Sequence, residues 1–96
     1  MFDAKKFHST TGKGSCTVKD KKLLNCYLLS EEEVSEIEKI IPAISELPSD
    51  VDFGYLETEK SRFGILRFED LLVLFPVRTE NIQEIARLRR VVQNEG

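Results

Sequence analysis

The sequence predicts an α+β fold, an α/β/α sandwich in which a five-stranded antiparallel sheet carries helices on both faces. Three observations lead there. Five short β-prone runs appear, two before a long amphipathic stretch and three after it. Two segments, one in the middle and one at the end, repeat apolar residues at helical spacing. One run, Leu71-Leu72-Val73-Leu74-Phe75-Pro76-Val77, is apolar on both faces, as a strand covered from above and below must be. The predicted element order is β-β-α-β-β-β-α.

Residues 1–14 contain Ser9-Thr10-Thr11-Gly12-Lys13-Gly14, which is small, polar and glycine-rich. They are expected to form a flexible lead-in, with at most one helical turn over Met1 to Phe7. A single domain is expected over residues 15–96. Ser15 to Lys19 and Lys22 to Leu29 read as a hairpin around Asp20-Lys21. Ser30 opens the middle helix: its hydroxyl can accept from the Glu33 N–H while the Glu33 carboxylate reaches back to the Ser30 N–H. Glu31, Glu32 and Glu33 lie at the positive end of that helix. Val34, Ile37, Ile41 and Ile44 form its apolar stripe, with Ile40 and Leu47 beside it. Pro42 lacks the N–H that would bond Glu38, so a kink or a split is expected there.

Val51 to Thr58 alternates, with Val51, Phe53 and Tyr55 on one face. Arg62 to Phe68 is the fourth strand and Leu71 to Val77 the fifth, which is expected at the sheet centre. The last helix is capped by Asn81 with Glu84, or by Thr79. Ile82, Ile85, Leu88 and Val92 make its stripe, and Arg89 falls within that range, where its long stem can snorkel.

The chain has 96 residues, 41% of them hydrophobic and 32% charged, with a net charge of −3. That composition fits one globular domain and excludes collagen, coiled coils and disulfide-dense secreted scaffolds. No run approaches the length of a membrane span, and the charged start lacks a signal-peptide core. A cytoplasmic protein without membrane association is expected. The charge is segregated: residues 1–22 carry six lysines against two aspartates, while residues 30–59 carry ten acids and one lysine. An acidic middle opposes binding to a phosphate backbone, so no nucleic acid is expected.

The chemistry-bearing residues do not assemble into a recognisable catalytic set. His8 is the single histidine, and it falls in the expected lead-in rather than on a rigid element. Gly12-Lys13-Gly14-Ser15 has the wrong order for a phosphate loop and precedes a strand. The acids around Glu31 to Glu36 lack the loop spacing of a calcium site. No catalytic residue, metal or cofactor is therefore assigned. Cys16 and Cys26, the two cysteines, are not spaced as a zinc or thioredoxin motif. Two reduced, buried thiols are expected. The alternative is a cross-strand pair, which arises if paired hairpin residues sum to 42 and disappears with a one-residue slip.

The hairpin Ser15 to Tyr27, the helix from Ser30, the three runs from Val51 to Val77 and the closing helix together resemble the roadblock / dynein light chain family, of profilin-like fold. Longin-like domains are similar. The resemblance spans about residues 14 to 93. It differs from the family pattern in the glycine-free turn at Asp20-Lys21, the short N-terminal helical stretch and Pro42. It implies a homodimer, or a heterodimer with a related subunit, in which the middle helices pair and the strand after them continues the partner's sheet. The interface residues so implied are Val34, Ile37, Ile41, Ile44, Val51, Phe53 and Tyr55. It further implies a non-enzymatic scaffold that binds a small GTPase or a motor or regulatory complex. Glu32, Glu36 and Glu38 on the acidic helix, with Arg87 and Arg90 on the last helix, are the candidate partner contacts, because charge steers association. The alternative is a small ligand-binding sensor domain of PAS or GAF type, which would need an apolar pocket.

Overall fold

The computed structural model describes residues 2–48, 50–77, 83, 86–88 and 90. The chain begins with a helix, α1 (Ala4–Thr11), which corrects the expected flexible lead-in. Asp3 caps it by accepting from the Lys6 N–H, and Gly12 closes it at φ 77°, a left-handed turn that suits glycine. The physical reason for a helix here is Phe7: it is 2% exposed and packs against Phe75, with ring centroids 5.7 Å apart. Burying that one ring ties the segment to the sheet.

The hairpin follows as β1 (Ser15–Lys19) and β2 (Lys22–Tyr27). Both turn residues, Asp20 and Lys21, have positive φ (52° and 66°), the signature of a type I′ turn, whose twist matches its strands. Ser15 pairs with Tyr27, Cys16 with Cys26 and Thr17 with Asn25; the register then shifts, so that Val18 pairs with Leu23. Leu24 is the extra residue of that bulge.

The second helix, α2 (Glu31–Ile44), carries the expected capping box: Glu33 N–H donates to Ser30 Oγ (3.1 Å) and Ser30 N–H to Glu33 Oε1 (2.9 Å). Pro42 lies within this helix and does not split it. It sits in the last turn on the exposed side, where the chain is about to leave helical geometry.

A meander completes the sheet: β3 (Phe53–Glu57), β4 (Arg62–Phe68) and β5 (Leu71–Pro76). The strand order is β2-β1-β5-β4-β3, and every neighbouring pair is antiparallel. The doubly apolar β5 is the central strand, as its composition demands. Each face carries its own core. Ile37, Ile40, Ile41 and Ile44 of α2 pack with Cys16, Val18, Phe63, Ile65, Leu72 and Leu74 on one face. Phe7 packs with Leu66, Phe68, Val73, Phe75, Val77 and Leu88 on the other. Alternation along β4 and β5 sends successive side chains into opposite cores. Gln83, Ala86, Arg87, Leu88 and Arg90 are helical, and Leu88, 2% exposed, anchors that helix to the second face. The remaining expectations for the last helix, including Asn81, Glu84, Ile82, Ile85, Arg89 and Val92, lie outside the described residues.

Candidate functional site

The expected docking surface combines α2 with the strand behind it, and the fold separates the two. The stripe Ile37, Ile41 and Ile44 does not face outward: the three are 0%, 9% and 1% exposed within a single chain. Val34 is half-buried against the same core. This corrects the expected interface. A helix laid on a sheet points its apolar stripe at the sheet, and α2 has only one such stripe, so nothing apolar of that kind is left for a partner.

The acidic residues divide likewise. Glu32 and Glu38 are exposed. Glu32 lies 4.0 Å from Lys60 Nζ, a contact with the β3–β4 turn that is exposed on both sides. Glu36 is 4% exposed, which removes it from the expected partner contacts. It stands one helical turn before Ile40, on the flank of the stripe, and the Lys39 ammonium lies 3.7 Å away. Arg87 and Arg90 are exposed.

The strand residues fare differently. Among the described residues β3 is an edge of the sheet, with β4 its one neighbour. Val51, Phe53 and Tyr55 are each half-buried. Phe53 and Tyr55 lean on the second core, while Leu56 leans on the first. The outer edge of β3 thus presents backbone groups flanked by apolar side chains on both faces, the arrangement that invites another strand. At Gly54, a Cβ would meet no atom within 4 Å.

One residue that positions this edge went unrecognised in the sequence. Arg67 of β4 is half-buried; its Nε donates to the Val51 carbonyl (2.9 Å) and its Nη2 to the Pro48 carbonyl (3.3 Å). Its backbone N–H also donates to the Asp52 carbonyl (2.8 Å). Arg67 therefore clamps the connection between α2 and β3. The available signal was its position in Arg62-Phe63-Gly64-Ile65-Leu66-Arg67-Phe68, where alternation places it on the same face as the core residues Phe63 and Ile65.

At one end of the sheet an open cavity of about 680 Å³ is lined by Lys13, Glu33, Glu59, Lys60 and Arg62, among others. Its walls are charged, unlike the apolar interior a sensor domain would use. The Lys13 ammonium donates to the Pro76 carbonyl there (3.4 Å). His8 lies on α1 rather than in a tail, half-buried, with its ring 6.0 Å from that of Tyr27.

At the opposite end Lys19 Nζ meets Asp70 Oδ2 at 2.8 Å, joining β1 to the β4–β5 turn. The Asp70 hydrogen bond and charge raise the Lys19 pKa, and the Lys19 hydrogen bond holds the Asp70 carboxyl below its usual range. Cys16 and Cys26 are joined by a disulfide, with Cα atoms 4.1 Å apart. This corrects the expectation of two reduced thiols and realises the register in which their numbers sum to 42. No helix among the described residues is long and apolar enough to cross a membrane.

No protein-family model matches the sequence. An uncharacterized protein of the archaeon Archaeoglobus fulgidus is 40% identical over 86 residues, which cover 90% of this chain and 86% of that protein. The similarity runs through nearly the whole fold described above, and the chain belongs to the same family as that archaeal protein.

Proposed function

We propose that this chain is a non-enzymatic, roadblock-like scaffold that pairs with a second copy or a related subunit and docks a small GTPase or its complex. The observation that carries the reading is the strand order β2-β1-β5-β4-β3 with α2 between hairpin and meander. That arrangement leaves the strand after the middle helix as an open edge, where the resemblance calls for strand pairing. The buried stripe of α2 changes the way the pair would form. Pairing rests on the β3 edge, not on Ile37, Ile41 and Ile44. The exposed acids Glu32 and Glu38 supply long-range attraction for a basic partner surface.

Two measurements test the proposal. Light scattering at high micromolar concentration is expected to give the mass of a dimer; a monomer removes the paired scaffold. Calorimetric titration with purified Ras-like GTPases, in both nucleotide states, is expected to show binding to one state that weakens with salt. Reversal of charge at Glu32 and Glu38 together is expected to weaken that binding further. Unchanged affinity in this variant would take α2 out of the docking surface.

A further inference from the structure

We propose that the Cys16–Cys26 disulfide is a redox clasp that holds the edge strand β2 onto the sheet, and that a dithiol reductant releases β2 while the rest of the fold stays intact. The inference rests on how lightly this strand is packed, its further tether being the ring of Tyr27 beside that of His8. None of the six residues of β2 is buried, whereas three of the five in β1 are. Leu23 and Cys26 touch the first core only partly, and Leu24 is exposed. Among the described residues β2 has one ladder partner, β1, and the ladder is interrupted by the bulge between Thr17 and Val18.

Both ends of β2 also carry left-handed backbone at residues other than glycine. Asp20 and Lys21 lie at φ 52° and 66° before the strand, and Leu28 lies at 55° just after it. Such conformations are disfavoured for a residue with a Cβ, most of all for a large one such as leucine, and persist only where the surroundings enforce them. The disulfide sits between these points and ties β2 to the fully buried Cys16 of β1. Removing it leaves a strained, weakly packed strand at an edge, the kind of segment that opens locally.

The two sulfurs are not equivalent. Cys16 is 0% exposed, whereas Cys26 is half-buried on the outer strand. A thiolate of the reductant therefore attacks Cys26 Sγ. The Sγ–Sγ bond breaks, and Cys16 leaves as a thiolate and takes up a proton. The second thiol of the reductant then displaces Cys26, which is protonated in turn. Two electrons and two protons pass from the dithiol, which departs as its own disulfide. A disulfide oxidant runs the exchange backwards.

Hydrogen exchange of the intact chain, read by peptide mass with and without dithiothreitol, tests the clasp. In the reduced protein the amides of β2 are expected to exchange at least about tenfold faster, while α2, β4 and β5 keep their rates. Brief exposure to glutathione is expected to trap the mixed disulfide on Cys26. Cys26→Ala is expected to match the reduced wild type, with or without oxidant. Four outcomes would overturn the proposal: equal β2 protection in the two states, simultaneous loss of protection in every element, a mixed disulfide on Cys16, or free thiols in protein treated with oxidant.

Discussion

Gly64 of β4 pairs with Phe75 of β5, and a Cβ at Gly64 would lie 2.5 Å from two ring carbons of Phe75. The glycine is thus the space into which a core aromatic fits. Gly64→Ala is expected to displace that ring and to lower stability by about 1–3 kcal/mol in denaturant titration, the usual range for overpacking. Ile37 acts from the other side of the sheet, wholly buried in the first core. Ile37→Asp would place a carboxylate there without a partner, so loss of the far-ultraviolet signal of the folded chain is expected. Dissociation of a folded pair would instead return the stripe to the interface. Lys19 and Asp70 illustrate a surface pair with a defined sign. Asp70 has a lowered pKa, so its contribution is present above the ordinary carboxylate range and is lost as pH falls through the lowered value. Lys19 has a raised pKa, so its contribution holds below the ordinary lysine range and is lost as pH rises through the raised value. Asp70→Asn is accordingly expected to flatten the acid limb of a stability–pH profile, with little effect at neutral pH because the pair is exposed.

At the scale of elements, the β1–β2 turn holds Lys21 at φ 66°. Lys21→Gly gives the Asp-Gly sequence that a type I′ turn favours, and is expected to raise stability by about 1 kcal/mol in thermal or chemical unfolding. An unchanged or lower midpoint would mean that the turn relaxes in solution. The hairpin was legible from two β-prone runs, although its turn lacked glycine, because tertiary contacts enforce a backbone that local preference disfavours. The capping box of Ser30 and Glu33 was legible because both partners lie within one turn of each other. α1 was not legible because what fixes it is long-range, Phe7 against Phe75 and His8 beside Tyr27, and its own sequence is polar. Pro42 does not break α2 because a proline in the last turn meets a helix that is already ending. The direction of the α2 stripe was misjudged for another reason: periodicity marks an apolar face but not what covers it. Arg67 escaped notice because its partners, the Val51 and Pro48 carbonyls, are backbone atoms that carry no residue signature.

For the whole molecule, the two outer strands differ in how they are guarded against pairing. The sheet has two outer strands, β2 and β3. Lys21 of the hairpin turn and Lys22 at the start of β2 put charge on that edge, and charge of this kind discourages pairing. β3 has no such guard along Phe53-Gly54-Tyr55-Leu56, and Glu57 alone closes the run. This edge is flanked by apolar side chains on both faces, and Arg67 anchors the connection that leads into it. Gly54 allows a clean test, because its Cβ position is empty and its backbone is not left-handed. Gly54→Lys adds a charge to the first half of β3, at a position where a Cβ meets no atom within 4 Å. A single chain should fold as well as before, or slightly better, since lysine loses less backbone freedom in a strand than glycine. A paired edge, in contrast, would carry each added lysine into the desolvated seam between the two strands, where an unpaired charge is costly. Sedimentation is then expected to show the variant as a folded monomer under conditions where the wild type is a dimer. If the variant keeps the wild-type mass and unfolds at the same denaturant concentration, β3 is not where the copies meet.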